Sequence, residues 1–214
     1  MARLSGTGRL ADDLYLLAHD DVTGRAFLQP RALGLGLAGG LLAELVVADS
    51  IRIWADGIEI VSRAALGDGL AHRILGLALT ESEQHPPQEW LTFLAASATQ
   101  DVAGRLGESG YLSQVNSRRP WRDGRWVPVD PDCAFAPLIR VRAVLDPARP
   151  VTATDTALVG LAAACGLGSR LLPYGPPDGR RCLEATIRQL SPSLRELIAQ
   201  TQAAVDSALL SHRV

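Results

Sequence analysis

Leu10, Leu14, Leu16 and Leu17 fall at mixed helical spacings in GRLADDLYLLAHDD, which predicts a first helix, and VTGRAFL then reads as a Gly turn into a short extended piece. Pro30 suits the first turn of a second helix. The following RALGLGLAGGLLAELVVADS is apolar nearly all round, the mark of a central element buried on most sides. In SIRIWADGIEIVS, Ile51, Ile53 and Ala55 are answered by Ile58 and Ile60 across Asp56-Gly57, which predicts a hairpin with a type I′ turn and positive φ at both central residues.

Helical patterns return over residues 69–79 and again after Pro87, where QEWLTFLAASATQDVAGRL runs to a stop at Gly110. Residues 111–115 and 126–129 read as the arms of a second, longer hairpin with Asp123-Gly124 at its tip. Pro120 and Pro128 lack the donor a ladder needs, so they belong at edges, and the hairpin is expected to project from the body. Three helices close the chain: around 134–145, from 154 to 165 with a stop at Gly166, and from 193 to 210 with Ser193 and Glu196 spaced as a capping box. Residues 173–181 read as a loop. The fold class predicted is mainly α, a helical bundle with small β-hairpins, one of them protruding.

At 214 residues, 47% hydrophobic and 21% charged, the chain suits one domain over residues 1–214. A net charge of −2 argues against a general nucleic-acid binder, so any basic role is local. All 21 cationic side chains are Arg, a GC-rich codon signature that discounts any lone Arg. Cys133, Cys165 and Cys182 show no CxxC spacing, so neither a disulfide framework nor a zinc site is supported, and a reducing cytoplasm fits. No secretory signal is apparent. The longest uncharged runs, 32–43 and 156–169, fall short of the roughly 20 apolar residues that span a bilayer.

Candidate chemistry is thin. Gly34, Gly36 and Gly39 satisfy G-x-G-x-x-G, but a dinucleotide site needs a strand before it, whereas here a Pro and an Arg precede it; close helix packing explains these glycines better. GESG at 107–110 lacks the spacing of a nucleophile elbow. His19, Asp20 and Asp21 read as a solvated helix end rather than metal ligands, and Asp130 with Asp132 as an ordinary loop. No catalytic set, cofactor loop or metal site is expected, and the protein is read as a non-enzyme.

The hairpin differs. Arg118, Arg119, Trp121, Arg122, Arg125 and Trp126 concentrate the side chains that favour a bilayer interface, Trp at headgroup level and Arg on phosphates. The same residue types also anchor protein contacts, and a solvated loop is a third possibility.

Taken in order, LADDLYLLAHDDVTGRAF, GLAGGLLAELVVADSIRI with Glu44-Leu45, and GESGYL before a hairpin resemble the Golgi phosphoprotein 3-like family, whose bacterial members are common in actinobacteria. The resemblance spans residues 9–210, most strongly 39–53. It implies a helical domain with a protruding hairpin. In eukaryotic members it also implies membrane attachment through phosphatidylinositol 4-phosphate and capture of cytosolic tails of glycosyltransferases. The family's headgroup positions fall on Gln29, Ala38, Ala96 and Thr99, none of which keeps the family's tryptophan or arginines; Arg31 lies near the first. The reading is a cytoplasmic peripheral membrane adaptor that meets anionic phospholipid through its hairpin, with cytosolic segments of membrane proteins as further partners. The alternative is a protein-interaction module in which the hairpin mediates oligomerisation or partner binding.

Overall fold

The structure, a computed structural model, describes residues 6–81, 85–115, 125–144, 151–171 and 179–211. Its elements in chain order are α1 (Leu10–Leu17), α2 (Pro30–Val47), β1 (Ile51–Trp54), β2 (Gly57–Ile60), α3 (Gly69–Thr80), α4 (Pro87–Glu108), β3 (Leu112–Val115), β4 (Arg125–Pro128), α5 (Pro131–Val144), α6 (Ala153–Ala164), α7 (Gly168–Leu171), α8 (Gly179–Ile187) and α9 (Pro192–Leu210). The architecture is mainly α with two small antiparallel two-stranded sheets.

Helix α2 is the axis. Its apolar residues leave no polar face to turn to water, and it is packed by α1, α4, α6 and α9. By length and composition it is the one described helix that could cross a bilayer, but 78% of it is buried inside the bundle, as expected of a core helix. Its glycines permit the crowding: a Cβ on Gly34 would lie 2.7 Å from the Ala95 carbonyl oxygen of α4, and one on Gly40 2.9 Å from Ala11 Cα of α1. All three glycines of the G-x-G-x-x-G run are inside this helix, with no strand before it.

Helix stops follow the sequence closely. Gly110 (φ 78°) ends α4 and Gly166 (φ 86°) ends α6, both in the left-handed region that glycine enters at little cost.

Four local expectations are corrected. The β1–β2 register pairs Trp54 with Gly57, so the turn residues are Ala55 and Asp56, and neither Asp56 nor Gly57 has positive φ; pairing of Ile53 with Ile58 and Ile51 with Ile60 fixes the register. Ser193 does not cap α9. Ser191 does, accepting from Leu194 N–H, while the Ser193 hydroxyl is buried and accepts the Ile53 N–H at 3.1 Å, tying α9 to β1. Five helices rather than three close the described chain, because α7 and α8 intervene and residues 179–181 of the expected loop belong to α8. His19 is not solvated: it is 8% exposed, stacks on Tyr15 at 3.9 Å and bonds the Tyr15 carbonyl through Nδ1 at 2.7 Å. Desolvation holds its pKa below the ordinary value, against the opposing pull of that bond.

Candidate functional site

The second hairpin exists as read from sequence in its arms. Leu112 pairs with Pro128 and Val115 with Arg125. Leu112 is buried, so the hairpin is rooted in the core at that end, whereas Val115 is 50% exposed and Arg125 is exposed at the other. Arg118, Arg119, Trp121 and Arg122 lie outside the described residues.

Trp126 departs from the expectation of a free indole. Its ring lies over Gly107 of α4, where a Cβ would come within 2.6 Å of Cζ3, and it is half-buried against the core. An indole held there packs β4 onto α4 and is not free to wedge into a bilayer. The sequence could not separate these cases, because nothing in it fixes which side of β4 faces α4.

A second small structure leans on the same strand. Residues 18–27 fold back on themselves: Phe27 N–H donates to the Ala18 carbonyl, Asp20 N–H to the Arg25 carbonyl, and His19 and Ala26 form an antiparallel bridge. Asp20 Oδ1 closes the turn by accepting from Thr23 N–H and Thr23 Oγ1, both at 2.7 Å, and these bonds depress its pKa. Gly24, at φ 64°, abuts the Trp126 backbone so closely that a Cβ would overlap its carbonyl oxygen. The finger and β4 are therefore keyed together.

Around them stand cations. Arg170 of α7 stacks over the Phe27 ring at 3.6 Å. Arg25, Arg31 and Arg125 are exposed and form no ion pair among the described residues. Arg31 is the charged lining residue of a cleft of about 380 Å³ between the start of α2, α4 and α9, with Gln88, Thr92 and Ser207 as polar neighbours and alanines behind. Ala96 lines this cleft too, Gln29 is the exposed N-cap of α2, Thr99 is half-buried, and Ala38 is sealed in the core, so the four headgroup positions carried over by resemblance do not form one polar site here.

Sequence reasoning missed the buried ion clusters. Adjacent Asp12 and Asp13 on α1 diverge to different partners. Arg105 of α4 donates to Asp12 through Nε at 2.8 Å, to Glu44 of α2 through Nη1 and Nη2, and to Asp68 through Nη1, all three of the latter at 2.9 Å. Asp13 pairs with Arg140 of α5 at 2.7 Å, and Arg140 also bonds Asp155 of α6. Desolvation lifts the Asp12 pKa to about 7 against the pull of Arg105, with the Glu44 charge adding to the lift. Asp68 goes the other way: desolvation opposes, but the Ala71 N–H bond and the charges of Arg105 and Arg9 outweigh it. The available signal was two acids inside LADDLYLL and one inside the apolar α2, since buried charges require partners. These clusters join α1, α2, α4, α5 and α6, with the N-cap of α3, and have the character of fasteners. Among the described residues no group of three or more His, Cys, Asp or Glu is arranged to hold a metal ion.

The family model described as Golgi phosphoprotein 3 (GPP34) matches residues 10–209, and no curated protein matches the chain. With a helical body, a rooted hairpin and a match across nearly its whole length, the chain belongs to the Golgi phosphoprotein 3 family.

Proposed function

We propose that the protein is a non-enzymatic, cytoplasmic adaptor that attaches reversibly to anionic phospholipid through the hairpin and the cationic ground around its base. Family membership supports the adaptor reading. What supports the lipid reading is a set of exposed arginines in a chain whose net charge is −2: Arg25 and Arg125 adjoin the Gly24–Trp126 contact, Arg170 stacks on Phe27, and Arg31 lines the α2 cleft.

The magnitudes suit transient attachment. At about 1 kcal/mol per cation near an anionic surface, these four arginines less Asp20 and Asp21 supply on the order of 2 kcal/mol. Arg118, Arg119 and Arg122 less Asp123 supply about as much again by the same rule. Trp121 at the interface would add apolar burial. Phosphatidylinositol 4-phosphate is not the favoured headgroup, because Gln29, Ala38, Ala96 and Thr99 offer no guanidinium to a phosphate.

Co-sedimentation with phosphatidylcholine vesicles, with and without phosphatidylglycerol, tests the reading. The wild type should pellet only with the anionic lipid, and an Arg118, Arg119, Arg122→Ser triple variant should pellet less. Equal pelleting of the two proteins removes the hairpin from the mechanism.

A second reading, contact with a protein, is favoured by a groove of about 260 Å³ between α3 and α4. Trp90 meets Phe93 edge-on there, Phe93 is 60% exposed, and Glu81, His85 and Glu89 form the rim. Such a rim suits a cationic, apolar segment of a membrane protein and repels an anionic bilayer. Oligomerisation through the hairpin is the other form of this reading. Light scattering of a chain lacking residues 119–125 separates them, since only a self-association element lowers the mass by whole subunits.

A further inference from the structure

We infer that residues 18–27 are a second membrane-contact finger, keyed to the hairpin through Gly24 and Trp126, which seats Val22 in the interfacial layer of an anionic bilayer; this rests on the lipid reading above. A single exposed valine needs no explanation. Here three features converge on one.

The finger is rigid by construction. Backbone bonds close it at two levels, Asp20 Oδ1 fixes the turn, and Val22 stands at the tip, 63% exposed. An ordered apolar tip loses little conformational freedom on insertion.

Its orientation is tied to the hairpin. Gly24 touches the Trp126 carbonyl in a contact that leaves no room for a side chain, so the finger packs directly against β4. Whatever surface the hairpin meets is met with the finger alongside.

Its flanks carry the appropriate chemistry. Arg25 is exposed on the returning arm, and Arg170 lies across Phe27, which is 41% exposed. A guanidinium stacked on an aromatic ring keeps its outer edge free for phosphate while the ring occupies the interface.

The experiment uses the full chain with Cys133→Ser and Cys182→Ser, leaving the buried Cys165, and an environment-sensitive nitrobenzoxadiazole label on Val22→Cys. The control label sits on Ala55→Cys, at the β1–β2 turn beyond the far end of α2, about 27 Å along that helix from its start. Phosphatidylcholine/phosphatidylglycerol vesicles should brighten and blue-shift the label at 22 and leave that at 55 unchanged, and Val22→Ser should weaken vesicle binding on the order of five-fold. If the wild type binds these vesicles while the label at 22 does not respond and Val22→Ser binds equally, the finger is not a contact and the lipid reading stands without it. If the wild type does not bind them, both fall together.

Discussion

Arg105 Nε donates to Asp12 Oδ1 at 2.8 Å across 93 residues of sequence, in a place where both side chains are almost wholly buried. The same guanidinium also serves Glu44 and Asp68, so one residue of α4 fastens α1, α2 and the start of α3. Removing it leaves three carboxylates facing one another. Arg105→Met is expected to cost about 3–5 kcal/mol, the penalty of breaking a buried ion pair from one side. Urea unfolding followed by circular dichroism measures this, and an unchanged midpoint would show the cluster to be idle.

Asp12 also sets a pH dependence. Its folded pKa, about 7, lies above the ordinary value of 3.8, so between these the folded protein keeps a proton that the unfolded chain has released. Its contribution is therefore fully present below about pH 4, declines as pH rises to about 7, and is level above that. Asp68, depressed in the folded state, opposes this by losing stability as the medium turns acid. Relative to wild type, Asp12→Asn should gain stability progressively from pH 4 to 7, by a few kcal/mol. Unfolding curves at four or five pH values are the check; a constant difference between the two proteins refutes the assignment.

Gly24 combines a left-handed backbone with contact against Trp126. Gly24→Ala should cost at least about 1–2 kcal/mol from backbone conformation alone, and the displaced finger should loosen β4. Limited proteolysis would then cut the hairpin faster than in wild type. The same rate of cleavage would mean that the finger and hairpin are independent.

Ser193 holds the Ile53 N–H inside the interface of α9 and β1. Ser193→Ala orphans a buried donor and should cost about 1–3 kcal/mol, with hydrogen exchange at the Ile53 amide accelerating. Ser191→Ala, at the exposed N-cap, should cost only about 1 kcal/mol.

The fold was legible wherever local chemistry decides it. Pro30 and Pro87 open helices, Gly110 and Gly166 close them, and the apolar circumference of α2 announced the core. Where a distant partner decides, the sequence was silent. Nothing near Ser193 indicates that its hydroxyl answers Ile53, 140 residues away, rather than its own helix end. The functional surface was half legible: the Arg/Trp composition singled out the hairpin, but which indole packs inward depends on α4, where Gly107 makes room for Trp126. Asp20, Thr23 and Gly24 carried a turn signal, whereas their alignment beside β4 is a property of the folded chain alone.

Vesicle co-sedimentation of the wild-type chain across a series of salt concentrations bears hardest on the proposal that arginines around the hairpin base meet an anionic membrane. With phosphatidylglycerol present, pelleting should be strong at low ionic strength, fall steeply toward physiological salt as the Debye length shrinks to about 8 Å, and be absent throughout with phosphatidylcholine alone. Pelleting that ignores both salt and lipid charge, or no pelleting at low salt, would mean that these cations serve some other partner.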